Sequence, residues 1–283
     1  MRDRESLTLG AVAYDAKVVT IWEGFKAWFA ERDLRFDFVL YSNYERLVEG
    51  HLEGEVDVAW NSPLAWIESE RAAARAGRRA RAVAMRDSDR DLTSVILVRG
   101  DSPIESLAAL AGKAVAVGAA DSPQATLIPL LHLAEAGLDP ANDLRVVRHD
   151  LLVGKHGDHV GGERLAARAL VAGRVEAACL LDANLLAFAR EGTLPTGSTR
   201  VLATTPPFDH CNLTVFDDAL PKDLDRFLTL LLGMSYDDPV ARPLLDLEGL
   251  KRWLPGRVEG YTQLNRAVDR FATLDAWLAR VGR

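Results

Sequence analysis

The sequence predicts an α/β protein of two lobes, each built on a mainly parallel sheet flanked by helices. Strand-like and helical patterns alternate along the chain, as expected for βαβ units. A length of 283 residues suits two domains, or one domain with two lobes. One pattern also occurs twice: residues 52–66, LEGEVDVAWNSPLAW, and residues 170–186, LVAGRVEAACLLDANLL, run from a helix end through a glycine and a short apolar strand into a new helix.

Residues 7–99 contain the first set of alternating patterns. Strands are predicted at Leu7–Ala13, Arg35–Tyr41, Val56–Asn61, Arg81–Met85 and Thr93–Val98, with helices at Thr20–Ala30, Tyr44–Leu52 and Pro63–Ala76. The last of these helices has a strong start signal, because Ser62 is a good N-cap and Pro63 suits the first helical position.

A second set follows residue 100, with strands predicted at Ala114–Gly118, Leu144–Arg148 and Ala177–Leu181 and helices at Pro123–Ala136, Glu163–Ala172 and Ala183–Arg190. Strands Val201–Thr205 and Leu213–Phe216 come next, then helices at Pro221–Met234, Pro239–Leu245, Glu248–Trp253 and Tyr261–Val281. Turn-rich breaks at VRGDSP and TGSTRVLATTPP predict a discontinuous lobe one, residues 1–99 and 201–283, and a lobe two, residues 100–200.

Composition and charge narrow the classes of function. Hydrophobic residues make up 48% of the chain and charged residues 27%, with a net charge of −7, which argues against nucleic acid as a partner. No apolar stretch is long enough for membrane insertion, and two cysteines do not make a disulfide framework. The N-terminus shows no signal-peptide pattern. We therefore expect a cytoplasmic protein, or a periplasmic or extracellular one if a leader has been removed.

Polar residues that directly follow predicted strands are the candidate ligand contacts, because ligands of open α/β sheets bind outside the carboxyl ends of strands. Helix starts at such positions also offer free N–H groups to anions. The alternative for the two serines of this set is that they only cap their helices. The candidates are Tyr14, Asn61 and Ser62 in the first lobe and Ser122, Gln124, Thr126 and Asp182 in the second.

The segment VGKHGDHVGGE, residues 153–163, is the densest polar stretch. Its H-x-x-H spacing alone is a weak metal signal, so we expect a mobile glycine-rich loop and no metal. His156 and His159 are second-tier candidates for hydrogen bonds to a ligand.

His210 and Cys211 are a further candidate pair, for nucleophilic catalysis. Adjacent residues of an extended chain point to opposite faces, which argues against this reading. The sequence contains no catalytic or cofactor-binding motif such as G-x-S-x-G, a Walker A sequence or G-x-G-x-x-G. Binding without chemistry, and without a cofactor, is therefore the first hypothesis.

Four stretches together resemble a known family: YSNYERLVEGHLEGEVDVAWNSPLAW, SVILVRGDSPIESLAALAGKAVAVG, PLLHLAEAGLDP and LEGLKRWLPGRVEGYTQL. The chain resembles the phosphate/phosphite/phosphonate-type substrate-binding proteins of ATP-driven importers, which have the type II periplasmic-binding-protein fold. The resemblance implies a Venus flytrap whose two lobes close on a small molecule in the cleft. It also implies that the two repeated corners face one ligand, and that a permease is the partner if the protein is exported.

The sequence departs from this family at one candidate turn. Phosphonate-type members usually have Ser-Thr-Ser-Gly where this chain has Ser122-Pro123-Gln124-Ala125, and proline removes both a hydroxyl and an N–H. We therefore expect a small anion or zwitterion without assuming a phosphonate. The main alternative is a cytoplasmic enzyme on the same fold, which eliminates or decarboxylates a carboxylated metabolite with a histidine or aspartate as general base. A ligand-sensing partner of another cytoplasmic protein is a third reading.

Overall fold

The computed structural model describes residues 5–157 and 161–275 of the chain. Its strands are β1 Leu7–Val12, β2 Phe36–Tyr41, β3 Val58–Asn61, β4 Ala80–Arg86, β5 Ser94–Arg99, β6 Ala114–Val117, β7 Arg145–Arg148, β8 Ala177–Leu181, β9 Thr199–Thr204, β10 Asn212–Phe216 and β11 Trp253–Pro255. Its α-helices are α1 Lys17–Ala30, α2 Tyr44–Leu52, α3 Pro63–Arg75, α4 Ile128–Glu135, α5 Glu163–Val171, α6 Asn184–Arg190, α7 Leu224–Leu232, α8 Arg242–Glu248 and α9 Thr262–Phe271.

The chain divides into two compact units. Unit 1 comprises Met1–Arg90, Asp209–Gly260 and Leu274–Arg283, and unit 2 comprises Asp91–Phe208 and Tyr261–Thr273. The turn-rich breaks in the sequence predicted that the chain crosses between lobes after residues 99 and 200. In the structure the chain passes between the units after Arg90 and after Phe208, so β5 and β9 both belong to unit 2. These two strands pair with each other, and β5 also pairs with β8 in the sheet of that unit. Helix α9 also belongs to unit 2, where it packs on α4.

Each unit has one mixed sheet with a parallel trio of strands. The order in unit 1 is β11-β4-β10-β3-β1-β2, and the order in unit 2 is β7-β6-β8-β5-β9. β1 pairs in parallel with β2 and β3, and β6 pairs in parallel with β7 and β8. Antiparallel strands extend each trio on one side. The described residues therefore form two α/β units, as the sequence predicted.

Unit 1 is held by an aromatic core between its sheet and three helices. Phe29 of α1 lies 4.9 Å from Phe36 of β2, which stacks on Phe227 of α7 at 6.0 Å. Trp60 of β3 meets Trp253 of β11 edge-on at 5.6 Å. Trp60 is therefore a core residue, packed within unit 1.

Trp253 also accounts for an error in the predicted elements. The sequence predicted a helix at Glu248–Trp253, but Gly249 has a φ of +80° and ends α8. Trp253 then starts β11 by pairing with Arg86 of β4. The predicted helix is wrong because a left-handed glycine stops one helix before Trp253 enters the aromatic core.

Unit 2 buries both faces of its sheet. Val95 and Leu97 of β5 pack in one apolar cluster, whereas Ile96 and Val98 pack in another. Alternating side chains of a strand point to opposite faces, so each cluster covers one face. This explains why the strands of unit 2 read as continuous apolar runs.

The repeated corner performs the same structural task in both units. Asp57 accepts a hydrogen bond from the backbone N–H of Thr8 at 2.8 Å and donates its own N–H to the Thr8 carbonyl at 2.8 Å. In unit 2, Glu176 accepts from the N–H of Ala114 at 2.8 Å and donates its own N–H to that residue's carbonyl at 2.9 Å. Each acid therefore holds the start of a neighbouring parallel strand.

Both cysteines, Cys179 and Cys211, are free and buried. Among the residues that the structure describes, no helix has the length and apolar character needed to span a bilayer.

A buried ion cluster closes the end of β4. Arg86 donates from Nε to Asp89 Oδ2 at 2.5 Å, from Nη2 to Asp89 Oδ1 at 2.9 Å, and from Nη1 to the carbonyl of Glu248 at 2.8 Å. Burial raises the pKa of Asp89, but the Arg86 guanidinium lowers it by more. The pKa of Asp89 is therefore held at about 2. The cluster ties β4 to the end of α8.

Replacing Arg86 by methionine removes one partner of this cluster. We expect Arg86→Met to lower the free energy of unfolding by about 3–5 kcal/mol, because the Asp89 carboxylate stays buried without its cation. Urea unfolding at neutral pH measures the loss. Arg35→Met is the matched control, since Arg35 pairs with Glu5 on the surface and surface pairs contribute little. Equal losses in the two variants would contradict the prediction.

Candidate functional site

The parallel trio of unit 1 brings three candidate residues to one sheet edge. β1 pairs with β3 in register, so the residues that follow both strands lie at the same carboxyl edge. Tyr14, which follows β1, is half-buried and has the Lys17 ammonium 5.8 Å from its ring centre. Asn61 and Ser62, at the end of β3, are completely buried.

Asn61 uses its amide nitrogen inside unit 1. Its Nδ2 donates to Ser69 Oγ at 3.0 Å and to Thr214 Oγ1 at 2.9 Å, and Thr214 donates in turn to Asn212 Oδ1 at 2.7 Å. The Asn61 Oδ1 atom has no hydrogen-bond partner in the described part of the chain. Asn61 therefore offers an acceptor, whereas its two donors already serve the fold.

The two candidate serines are both helix caps. Ser62 Oγ accepts from the N–H of Ala65 at 3.1 Å, and Ser122 Oγ accepts from the N–H of Ala125 at 3.2 Å. Both serines therefore cap their helices, which was one of the two interpretations that the sequence allowed. Any further role of these turns falls to their backbone N–H groups.

The Ser122 turn of unit 2 continues into a π-helical turn, Pro123–Leu127, before α4 begins. Gln124 is buried there: its Nε2 donates to the carbonyl of Gly157 at 2.9 Å, and its own carbonyl accepts from Ser94 Oγ at 2.5 Å. Gln124 Oε1 and Thr126 Oγ1 have no partner among the described residues. The turn therefore holds two buried oxygens that the described part of the chain leaves unsatisfied.

The glycine-rich segment packs directly on this turn. Gly157 has a φ of +67°, and a Cβ atom there would collide with Ser122 Oγ. Gly154 donates its N–H to Asp121 Oδ2 at 2.6 Å. His156 is 2% exposed, and burial lowers its pKa to about 3. His159 lies outside the described residues.

Glu163 is a buried carboxylate of unit 2 whose contacts the sequence did not reveal. Its Oε2 accepts from the N–H of Leu181 at 2.9 Å and from Asn184 Nδ2 at 2.8 Å, and its Oε1 lies 3.5 Å from Gln124 Nε2. This carboxylate joins the Ser122 turn to the end of β8. The available signal was an acid directly after two glycines at a helix start.

Asp182, by contrast, is exposed at the end of β8. Its N–H bonds the Thr93 carbonyl at 2.9 Å, and its carboxylate accepts a long hydrogen bond from Thr93 Oγ1 at 3.4 Å. It stands on the carboxyl edge of the trio that also carries Ser122, since β6 and β8 are parallel neighbours.

The two serine turns do not occupy equivalent corners of their sheets. β1 and β6 are the centres of their trios, with β3 and β8 beside them. Ser62 follows β3, but Ser122 follows β6. The corners that correspond in the two units are those of the repeated pattern, where β3 follows Gly54 and β8 follows Gly173. These two glycines have φ angles of +73° and +68°.

The geometry around Cys211 differs from the sequence expectation. His210 Nδ1 lies 3.1 Å from Cys211 Sγ although the residues are adjacent, so they do not point to opposite faces. The same Nδ1 atom is 3.4 Å from Asp89 Oδ1. A catalytic triad needs both ring nitrogens, one for the thiol and one for the carboxylate, so this contact is not a triad.

The buried histidines make stability depend on pH. His51 is also 2% exposed, and burial lowers its pKa to about 3. The unfolded chain takes up these protons near pH 6.5, whereas the folded chain takes them up only near pH 3. The unfolded state therefore binds more protons in this window, and stability falls as the pH falls.

Between pH 6.5 and 4.5 we expect each of these two histidines to contribute a slope of up to about 1.4 kcal/mol per pH unit to the free energy of unfolding. Denaturant titrations at several pH values measure the slope. The double variant His51→Gln/His156→Asn should flatten it, and asparagine is chosen because it tolerates the φ of +52° at residue 156. An unchanged slope in that variant would contradict the assignment.

Comparisons with known proteins agree with this architecture. The family model described as "ABC transporter, phosphonate, periplasmic substrate-binding protein" matches residues 11–261. No curated protein sequence is significantly similar to the chain.

Several solved structures share the fold. PhnD1 from Prochlorococcus marinus (MIT 9301), in complex with methylphosphonate, superposes with a TM-score of 0.68 at 16% identity, covering 94% of this chain and 98% of that one. XAC2383 from Xanthomonas citri, bound to a chloride ion, superposes with a TM-score of 0.67 at 21% identity, covering 98% of both chains. The periplasmic aliphatic sulphonate binding protein SsuA from Escherichia coli has a TM-score of 0.60 at 18% identity, covering 96% of this chain and 88% of that one.

Such low identities establish the fold alone, which is that of type II periplasmic binding proteins. The family model spans most of the chain, from near the end of β1 to the residue before α9. The chain therefore belongs to the family of periplasmic substrate-binding proteins of phosphonate ABC transporters.

Proposed function

We propose that this chain binds a small oxyanion of the phosphonate or sulfonate type, and that the ligand also carries a hydrogen-bond donor such as an ammonium group. The family supports a substrate-binding role. The structures that share the fold include complexes with methylphosphonate and chloride and a protein named for aliphatic sulphonates. All three names describe anion binding.

The observation that carries the proposal is the set of buried oxygens without partners at the carboxyl strand edges. Asn61 supplies one in unit 1, and Gln124 and Thr126 supply two in unit 2. An unsatisfied buried polar group costs about 1–3 kcal/mol, so its presence needs an explanation. Ligand groups that donate to the amide oxygens, and one that accepts from the threonine hydroxyl, satisfy them.

Charge chemistry favours a zwitterion over a simple anion. Amide oxygens accept hydrogen bonds and do not donate them, so they match an ammonium or hydroxyl group of the ligand. Pro123 removes one N–H that an anion would use, although the remaining N–H groups of the Ser122 turn stay available. The oxyanion and the donor group are thus two separate recognition elements.

We assign the ligand contacts to the strand-end residues of both units. Asn61 and Gln124 orient the ligand, Tyr14 supplies a ring face or hydroxyl, and the turns at Ser62 and Ser122 supply backbone N–H groups. Thr126, Asp182, His156 and His159 complete the proposed set. The oxygens of Asn61, Gln124 and Thr126 are buried, so binding requires the chain to move around them.

The proposed setting is an importer in the periplasm, with a permease as partner. The family consists of periplasmic components of ABC transporters, which gives no support to the cytoplasmic location expected from the N-terminus. The family is also one of non-catalytic binding proteins, so the enzyme alternative receives no support from it. The permease contact follows from this family role.

A ligand panel tests the class of molecule. We expect 2-aminoethylphosphonate and taurine to raise the thermal midpoint more than methylphosphonate and ethanesulfonate do, because only the first two carry an ammonium group. A ligand at 100 times its Kd adds about 2.7 kcal/mol of stability, which is readily measured. If the amine-free members of each pair bound as tightly, the zwitterion assignment would fail.

The variant Thr126→Val tests whether the Thr126 hydroxyl contacts the ligand or supports the fold. Thr126 Oγ1 makes no hydrogen bond within the described chain, so we expect unchanged or slightly higher stability without ligand. The lost contact to the oxyanion should weaken binding about tenfold or more, since a hydrogen bond to a charged group contributes about 1.5–3 kcal/mol. Calorimetric titration with the tightest member of the panel measures this.

Thr214→Val is the matched control for that experiment. Its hydroxyl serves Asn61 and Asn212, so this variant should lose stability through unsatisfied partners. Wild-type affinity in Thr126→Val would remove this residue from the site.

A further inference from the structure

Unit 1 contains a pocket at the sheet edge opposite to the one that carries Asn61. It lies where the strands begin, since Leu7 opens β1 and Asp57 directly precedes β3. Its volume is ≈ 160 Å³, and a cavity of about 150 Å³ is known to hold benzene. The pocket therefore suits a molecule of about six non-hydrogen atoms.

One wall of the pocket is a stack of three side chains. The His51 ring lies 4.2 Å from the ring of Phe216, and Arg78 Cζ lies 4.3 Å from the centre of the same phenylalanine ring. Arg78 is itself fixed, because Nε donates to Asp218 at 2.8 Å and Nη1 donates to the Leu52 carbonyl at 2.9 Å. These contacts hold Arg78 against the Phe216 ring.

His51 brings an unused acceptor to this wall. Burial lowers its pKa to about 3 and keeps the ring neutral. The ring bonds the backbone of Asp57, and Nδ1 has no partner in the part of the chain that the structure describes. The donor is therefore Nε2, and Nδ1 carries a lone pair that calls for a hydrogen-bond donor.

The mouth of the pocket carries one charge of each sign. Lys222 and Asp223 are consecutive residues of the segment before α7, and both line the pocket. Within the described residues, neither side chain has a hydrogen bond or an ion pair. The apolar side chains of Leu7, Val56 and Leu220 also line the pocket. The lining thus offers an acceptor, an anion and a cation around an apolar space.

We propose that this pocket is a second small-molecule site, which takes a zwitterion of the size of a small amino acid. The ammonium group of the ligand donates to His51 Nδ1 and faces the Asp223 carboxylate, while its own carboxylate faces the Lys222 ammonium. His51 Nδ1 is buried, so the ligand enters with a small movement of the wall. The site is independent of the strand-end ligand site proposed above.

Titration of the full chain with β-alanine, monitored by NMR of the His51 ring nitrogens, tests the proposal. We expect a saturable shift of Nδ1. Propionate and propylamine, which each lack one of the two charges, should bind at least tenfold more weakly. Lys222→Ala and Asp223→Asn should each weaken β-alanine binding at least tenfold, and Lys113→Ala, at an exposed lysine of unit 2, should leave it unchanged.

Thr126→Val distinguishes this site from the strand-end site and should bind β-alanine as the wild type does. A shift that disappears in Thr126→Val would place β-alanine in the strand-end site and overturn the proposal. So would the absence of any saturable shift, or a shift that Lys222→Ala and Asp223→Asn leave intact.

Discussion

The fold of both units depends on an acidic side chain that holds the start of a neighbouring parallel strand. Asp57 binds the backbone of Thr8, and Glu176 binds the backbone of Ala114. A one-residue slip of a strand would turn every side chain to the opposite face. By holding the strand starts, these acids set the register of each trio and therefore which side chains reach the carboxyl edge.

The buried polar groups at that edge fall into two classes. Ser62 and Ser122 cap helices, Asn61 Nδ2 joins α3 to β10, and Glu163 joins two segments of unit 2. These groups are satisfied by the protein itself and shape the edge. The oxygens of Asn61, Gln124 and Thr126 have no partner among the described residues, and this difference is the physical basis for proposing these three residues as ligand contacts.

The two ends of the unit 1 sheet have contrasting chemistry. The carboxyl edge presents helix starts and neutral amide oxygens, which suits a ligand held by hydrogen bonds. The opposite edge presents a neutral imidazole in a stacked wall, with Lys222 and Asp223 at the mouth of the pocket. A single sheet can present both kinds of edge because different segments of the chain connect the strands at its two ends.

The sequence by itself determined the α/β class, the family and nearly every strand and helix, because apolar periodicity and local start signals such as Ser62-Pro63 act over a few residues. It also singled out buried strand-end residues such as Asn61 and Gln124. It missed β11, since the place of Trp253 depends on contacts with Trp60 and Phe25, which are remote in the chain. Only the tertiary structure decided which atom of each polar residue is already used. The partners of Asn61 include Thr214, 153 residues away, and no local pattern encodes a hydrogen bond across that distance.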